Sequence, residues 1–518
     1  MSDTITIPRC PICGQENPSS PPGFCARPSC GAELLPGTDE RLRVRTFKLV
    51  NHFSLCVLPF AFADIDQEGV PVWERLAESG RWSERVFSLD NEDDVDRTEY
   101  FLPYIRRFLF PSMFRNSADK TGNPAGQSCW HFTFDLTRLG KLGLEGIPLT
   151  MHARDERKKL SLSCPLALER LELIVFSYRV GFLVFHYENR EPGATYFDQM
   201  DGLNYLRIIA PLYKGFELPV FESGPERFRM TQLLPYLLAE FGSAAAPKTP
   251  AEMAETTPLP VKPTFDDRML VYTFSCLDKE TALADPHRCE ALLRRAAVIG
   301  FDPEATTLPK DQVNAPKRDM LLARYQGFTK DGGGLVVFNT DRFHAQFMGI
   351  YHRTYYFDIF LLAALQRVTL LNLFESFSDI HALLTGSSAS RKLLRRVRRD
   401  LLMFKNQCRF SQITNRERGL VLWKKWQSVF ETKTLLREVN EQSDELNTYL
   451  QSRYRERMEM LVRLGGFLAA TLPIILGLGR FFEEGHWILN LRWPLLGLLV
   501  LGSAIFGWFV LFWKRDEV

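Results

Sequence analysis

The spacing of apolar and polar positions changes several times along this chain, and each change predicts an element. From Arg41 the residues alternate, with Leu42, Val44 and Thr46 set between Arg41, Arg43 and Arg45, and Phe53 to Phe62 is nearly all apolar. A period of two leading into a continuous apolar run predicts entry into a β-sheet. Trp130–Leu136, Leu171–Tyr178, Gly181–Tyr187, Met269–Leu277 and Gly334–Asn339 predict further strands. Only Arg179-Val180 separates the second of these from the third, so a hairpin is expected there. Helical spacing predicts Thr98–Phe110, Tyr196–Ile209, Arg229–Phe241 and Pro286–Ile299, with Pro103 expected to bend or shorten the first. Strands and helices mix without strict alternation, which predicts an α+β domain over residues 39–345. Within it, residues 242–263 collect Pro247, Pro250, Pro258, Pro260 and Pro263 and read as a mobile linker dividing two lobes. Gly332-Gly333-Gly334 reads as a turn before a strand. It lacks the Lys and Ser/Thr of a phosphate loop.

After Pro316 the next proline is Pro473, and glycine is scarce beyond Gly349. Three long helical runs are expected: Ile350–Leu384, Arg391–Phe430, and one from Thr434 onward. Together they make a long-helix stalk over residues 346–460, broken at Gly386-Ser387-Ser388-Ala389-Ser390. In the last run Val429, Leu436, Val439, Leu446 and Leu450 fall mostly at three-, four- or seven-residue steps, a narrow seam for another helix.

Residues 461–518 hold two apolar segments of different character. Trp493 to Trp513 contains no charge and is about 31 Å long as a helix, enough to cross a bilayer core. The first segment is confined between Arg463 and Arg480 and carries Gly465, Gly466, Thr471, Pro473, Gly477 and Gly479. A span so short and rich in glycine suits an inner helix packed on neighbours, with Gly466, Thr471, Pro473, Gly477 and Arg480 as pore-lining candidates. A simple hairpin anchor is the other reading. Arg453, Arg455, Arg457 and Arg463 precede the first segment, and Lys514 and Arg515 follow the second, which places both ends in the cytoplasm. Met1 to Ile7 lacks the basic-then-apolar pattern of a secretory leader. A multi-pass protein of the cell inner membrane, with a two-helix transmembrane domain and cytoplasmic termini, is therefore expected.

Composition changes this picture little. A net charge of +2 makes no global case for nucleic-acid binding, and an aromatic content of 12% fits packed and membrane portions, not a disordered chain. The cysteines change it more. Cys10, Cys13, Cys25 and Cys30 are spaced C-x2-C-x11-C-x4-C, the arrangement of two short loops offering four thiolates to one tetrahedral Zn²⁺. Gly14 and Gly31 follow the second ligand of each pair, where the backbone must curl toward sulfur. A small zinc ribbon over residues 1–38, with one structural zinc, is expected. Two disulfides are the alternative, and the expected cytoplasmic setting argues against them. Cys129 and His131 flank Trp130 on one face of a strand. Two ligands do not make a metal site, and each reads as a small core residue or a satisfied surface one. The nine histidines are dispersed, and no nucleophile elbow, metalloprotease helix or phosphate loop is present, so an enzyme is not expected.

An α+β domain, long helices, a last helix running into a first membrane segment, a short outer loop, a second segment and a basic tail, in that order, resemble the CorA-type divalent-cation transporter family. The resemblance covers residues 340–518 well and residues 40–340 by architecture alone. It implies a homopentamer in which the first segments line the pore and the second form the outer ring. This chain departs from the family at the outer end of the first segment. Gly477-Leu478-Gly479-Arg480-Phe481-Phe482 stands where the family has Gly-Met-Asn. Mg²⁺ is held through polar oxygens, and an Arg480 ring would repel a dication, so the permeant ion is left open. The basic run Arg391, Lys392, Arg395, Arg396, Arg398 and Arg399 reads either as a site for anionic lipid or the pore mouth, or as a solvated helix face. The function expected is a pentameric CorA-like ion channel or transporter gated by its cytoplasmic domain. The partners are its own copies, membrane lipids and an unidentified cytoplasmic ligand or protein. The alternative is a membrane-anchored zinc-ribbon binding or sensor protein without conduction.

Overall fold

The computed structural model describes residues 23–24, 33–35, 43–44, 49–62, 70–114, 127–136, 149–155, 160–189, 196–211, 216–223, 226–242, 250–277, 324–338, 343–382 and 388–483. The chain divides into two compact units, Met1–Arg437 and Glu438–Val518.

The larger unit is mixed α/β. Near its start β1 (Gly23–Phe24), β2 (Glu33–Leu35) and β3 (Arg43–Val44) form a small antiparallel sheet. The remaining described strands build one twelve-stranded sheet. They are β4 (Leu49–Ala61), β5 (Trp82–Glu84), β6 (Cys129–Phe134), β7 (Leu149–Asp155), β8 (Leu160–Phe176), β9 (Val180–Asn189), β10 (Val220–Ser223), β11 (Glu226–Arg229), β12 (Lys262–Pro263), β13 (Leu270–Leu277), β14 (Arg324–Thr329) and β15 (Gly332–Phe338). The main order is β11-β10-β7-β8-β9-β4-β13-β15-β14. The long β8 gives one edge to β7 over its first half and to β6 over its second, and the other edge to β9. The predicted β8–β9 hairpin is present, with Phe176 opposite Val180 and Arg179 in the left-handed region at φ 62°. β4 is central and buried from Phe53 to Phe60, as a near-continuous apolar run requires when both faces are covered.

The described helices are α1 (Val72–Glu78), α2 (Glu92–Glu99), α3 (Pro103–Leu109), α4 (Tyr196–Leu206), α5 (Met230–Leu237), α6 (Met348–Tyr351), α7 (Phe357–Ala382), α8 (Ser388–Met403), α9 (Glu417–Val429) and α10 (Thr432–Glu483). One face of the sheet, with Cys56, Leu171, Leu173, Val175, Leu183 and Phe185, forms a core with α1, α4 and α5. The other face meets α3 and the helices after residue 343. Phe108 stacks on Phe176, Tyr272 on Phe360, and Phe328 meets Trp426 edge-on. The sheet is thus enclosed between two helical layers.

Several expectations require correction. The Gly332-Gly333-Gly334 run is not a turn before a strand. It is the start of β15, paired in parallel with Val271–Thr273 of β13. Gly332 sits at φ 137°, and a Cβ there would lie 1.8 Å from the Val271 carbonyl oxygen, so only glycine fits this close approach. The proline-rich stretch does not separate the large unit into lobes. Residues 250–263 lie against that unit, with Val261 buried and Lys262–Pro263 paired to Phe60–Ala61. Residues 243–249 and the predicted helix Pro286–Ile299 lie outside the described residues. Thr98–Phe110 is two helices, because Pro103 takes the first turn of α3 and the chain breaks before it. Arg391–Phe430 is also broken: residues 409–416 are irregular, and Thr414 Oγ1 accepts from the Arg416 N–H ahead of α9.

The expected run Ile350–Leu384 begins earlier and is not uniformly α. Two π-helical turns, Phe343–Phe347 and His352–Tyr356, flank α6 before α7. By length and composition Met348–Phe377 could cross a membrane, yet 78% of its most apolar window is buried in the protein. Ile359 to Ala363 are fully covered, and Asp358, Gln366 and Thr369 are buried within it. These are the marks of a core helix. The last predicted run is a single helix, α10, of 52 residues and about 78 Å.

Candidate functional site

The predicted site residues are placed unevenly. Cys10, Cys13, Cys25 and Cys30 lie outside the described residues. Gly466 is exposed on α10, whereas for Thr471, Pro473, Gly477 and Arg480 only the helical backbone of α10 is described. Arg391, Lys392 and Arg395 lie on the α8 backbone. Arg396 and Arg399 are exposed on it, and Arg398 is half-buried.

The structure assembles another group, one that sequence reading did not identify: a charged network between the sheet and the layer containing α2 and α7. Arg97 of α2 donates two parallel hydrogen bonds to Asp358 of α7, Nε to Oδ2 at 2.7 Å and Nη2 to Oδ1 at 2.6 Å. Asp358 is 1% exposed. Burial raises its carboxyl above the ordinary range, and the Arg97 charge and hydrogen bonds oppose that rise. On β8, Glu172 ion-pairs with Arg170 at 3.0 Å and lies 3.9 Å from Arg85, which also reaches Asp94 at 3.3 Å. Burial opposes the Glu172 charge, but His186, Arg170 and Arg97 outweigh it and hold the carboxyl well below its ordinary range.

His186 of β9 connects this group to the second π-turn. Its Nε2 lies 3.1 Å from Glu172 Oε2, and its Nδ1 lies 3.4 Å from Arg353 Nη2. Guanidinium nitrogens only donate, so Nδ1 accepts and the proton sits on Nε2. The ring is therefore neutral, in agreement with the lowering of its pKa by burial. Arg353 Nη2 also donates to Glu169 Oε2 at 2.6 Å.

Two further histidines are held in the neutral form, His352 buried and His131 half-buried. His352 stacks on Tyr272 with ring centres 4.3 Å apart, accepts from the Tyr272 hydroxyl at Nδ1 and donates from Nε2 to the Thr273 carbonyl at 3.0 Å. Burial lowers its pKa to about 3. His131 donates to the Leu109 carbonyl at 2.9 Å, and burial, with Arg97 nearby, lowers its pKa to about 4. Cys129 lies 3.4 Å from His131 Nε2, and burial pushes its thiol well above the ordinary range. A thiol so held is not a nucleophile. Cys129 is thus a buried core residue, whereas His131 is half-buried and satisfied by the Leu109 carbonyl.

These arrangements hold layers together. The charged groups pair with one another, and among the described residues no three His, Cys, Asp or Glu side chains are grouped to hold a metal. One sequence signal pointed to the network: ionisable residues set against apolar runs, such as Glu172 within Leu171–Phe176, His186 after Phe182–Phe185, and Asp358 ahead of Ile359–Leu362. Comparison with protein-family models, with curated proteins and with solved structures yields no match.

Proposed function

We propose that the chain is a homo-oligomeric membrane channel or transporter of CorA-like design, a pentamer built around copies of its first apolar segment. The observation that carries this reading is the surface of α10 ahead of that segment. Met458, Leu461 and Val462 are 42%, 62% and 68% exposed, and Gly465 and Gly466 have no atom within 4 Å of an added Cβ. Positions 458, 461, 462, 465 and 466 follow the i, i+3, i+4, i+7, i+8 rule of a single helix face. An isolated helix in water is marginal, and an apolar stripe leading into two adjacent glycines suits close packing by another helix.

In this reading Gly466, Thr471, Pro473, Gly477 and Arg480 line the conduit, and the Trp493–Trp513 segment faces lipid. With Arg480 at the position of the family's Gly-Met-Asn, the permeant ion need not be Mg²⁺. The four N-terminal cysteines hold one structural zinc, and both termini lie in the cytoplasm of an inner-membrane protein.

Native mass spectrometry of the full chain in detergent, with flux in proteoliposomes, tests this. A pentamer that Gly465→Leu plus Gly466→Leu dissociates, with loss of flux, is the expected result. A monomeric parent chain would sink the proposal in favour of a membrane-anchored zinc-ribbon sensor.

A further inference from the structure

We propose that the outward face of α8 and of the turn after it docks onto the anionic headgroups of a phospholipid bilayer. This rests on the membrane reading above and adds a second, surface contact of the large unit with lipid.

The inward face of α8 is already occupied. Val397 and Leu401 are buried, and Phe404 and Cys408 of the π-turn Phe404–Cys408 continue the same side. Arg396 and Arg399 are exposed on α8, and Lys405 and Arg409 are exposed just beyond it. The same helix carries Arg391, Lys392, Arg395 and Arg398. Its one acid is Asp400, whose carboxylate is engaged by Arg179 from the β8–β9 turn, while Arg399 lies 3.8 Å away. The helix's own negative charge thus serves a neighbouring loop and leaves the face strongly cationic.

Charge alone suits a bilayer or a nucleic acid. Leu402 separates the two. It is 59% exposed and lies three residues from both Arg399 and Lys405. A phosphodiester backbone offers nothing to an aliphatic side chain, whereas the headgroup–acyl boundary accepts one beside cations. A basic face with a leucine in its midst fits an anionic lipid surface better than a polyanion.

The test uses the full chain in nanodiscs of phosphatidylcholine alone and of phosphatidylcholine with phosphatidylserine, read by hydrogen–deuterium exchange over residues 388–409. Exchange is expected to slow several-fold in the phosphatidylserine discs and to recover at high salt. Arg396→Glu with Arg399→Glu, both exposed positions, is expected to abolish the effect, and Leu402→Asp to weaken it. Equal exchange in the two discs overturns the proposal. So does protection given by an RNA duplex but not by phosphatidylserine. Retention of the chain in vesicles after an alkaline wash separates the two levels. A chain washed away ends both this proposal and the membrane reading, and a retained chain without lipid-dependent protection ends this proposal alone.

Discussion

Arg97→Met is the sharpest perturbation of the charged network. Arg97 and Asp358 are 261 residues apart in sequence and meet through two short parallel bonds, with side chains 12% and 1% exposed. Methionine keeps much of the stem and removes the charge, which leaves the Asp358 carboxyl buried without its partner. Breaking a buried pair from one side costs about 3–5 kcal/mol. At 1.4 kcal/mol per decade that is roughly two to four orders of magnitude in the folding equilibrium. Adding Asp358→Leu is expected to recover most of the loss, because an apolar pair of similar volume replaces a buried ion pair at little cost. Urea unfolding followed by tryptophan fluorescence is a suitable assay, since Trp426 lies 4.9 Å from Phe360 on the same helix as Asp358. Lys262→Met serves as the control: its partner Glu375 is 49% exposed, and such pairs contribute about 0–1 kcal/mol. If Arg97→Met costs no more than this control, or if the double variant is as unstable as the sum of the two singles, the ionic lock has no energetic role.

Gly332→Ala would drive a Cβ onto the Val271 carbonyl, and a loss of roughly 3 kcal/mol or more is expected in the same urea assay; a loss under about 1 kcal/mol would disprove the close approach. Acid should destabilise the large unit through the histidines it holds neutral. Their folded pKa values lie below 6.5, so the unfolded chain takes up protons first, and stability falls as pH drops from 6.5 toward about 4 for His131 and about 3 for His352. The slope is about 1.4 kcal/mol per pH unit for each ring, and His352→Gln should lessen it by one ring's share; an unchanged slope would contradict the neutral assignment. Metal analysis of the purified chain should find one zinc per chain, lost in Cys10→Ser with Cys30→Ser. A parent chain without zinc would remove the ribbon from the reading.

Sequence patterning disclosed what depends on local spacing. The β8–β9 hairpin, the central β4, α4 and the long α10 follow directly from runs of two- or three-and-a-half-residue period. What it concealed depends on distant partners. The role of the Gly332 run is set by Val271, some sixty positions earlier, and by Trp426, which lies 2.7 Å from an added Cβ at Gly333. The break before α9 rests on residues 409–416 bonding elsewhere, as in the Leu102 N–H to the Ile413 carbonyl. The network of Arg97, Glu172, His186, Arg353 and Asp358 spans five elements, so each charge read alone looked like an ordinary polar residue. The basic run read from the sequence lies on one helix, α8, with Arg396 and Arg399 exposed.

The two π-turns around α6 each hold one residue more than an α-turn would. Deleting a single residue from His352–Tyr356 would restore a regular helix and leave the segments on either side near their present phase, because the wide turn absorbs the extra residue locally. Arg353 reaches Glu169 and His186 from inside that turn, whereas Asp358 meets Arg97 from the regular helix after it. The widened turn therefore aims one guanidinium at the sheet without disturbing the rod around it, and a one-codon deletion there should break the Arg353 contacts while sparing the bond between Arg97 and Asp358.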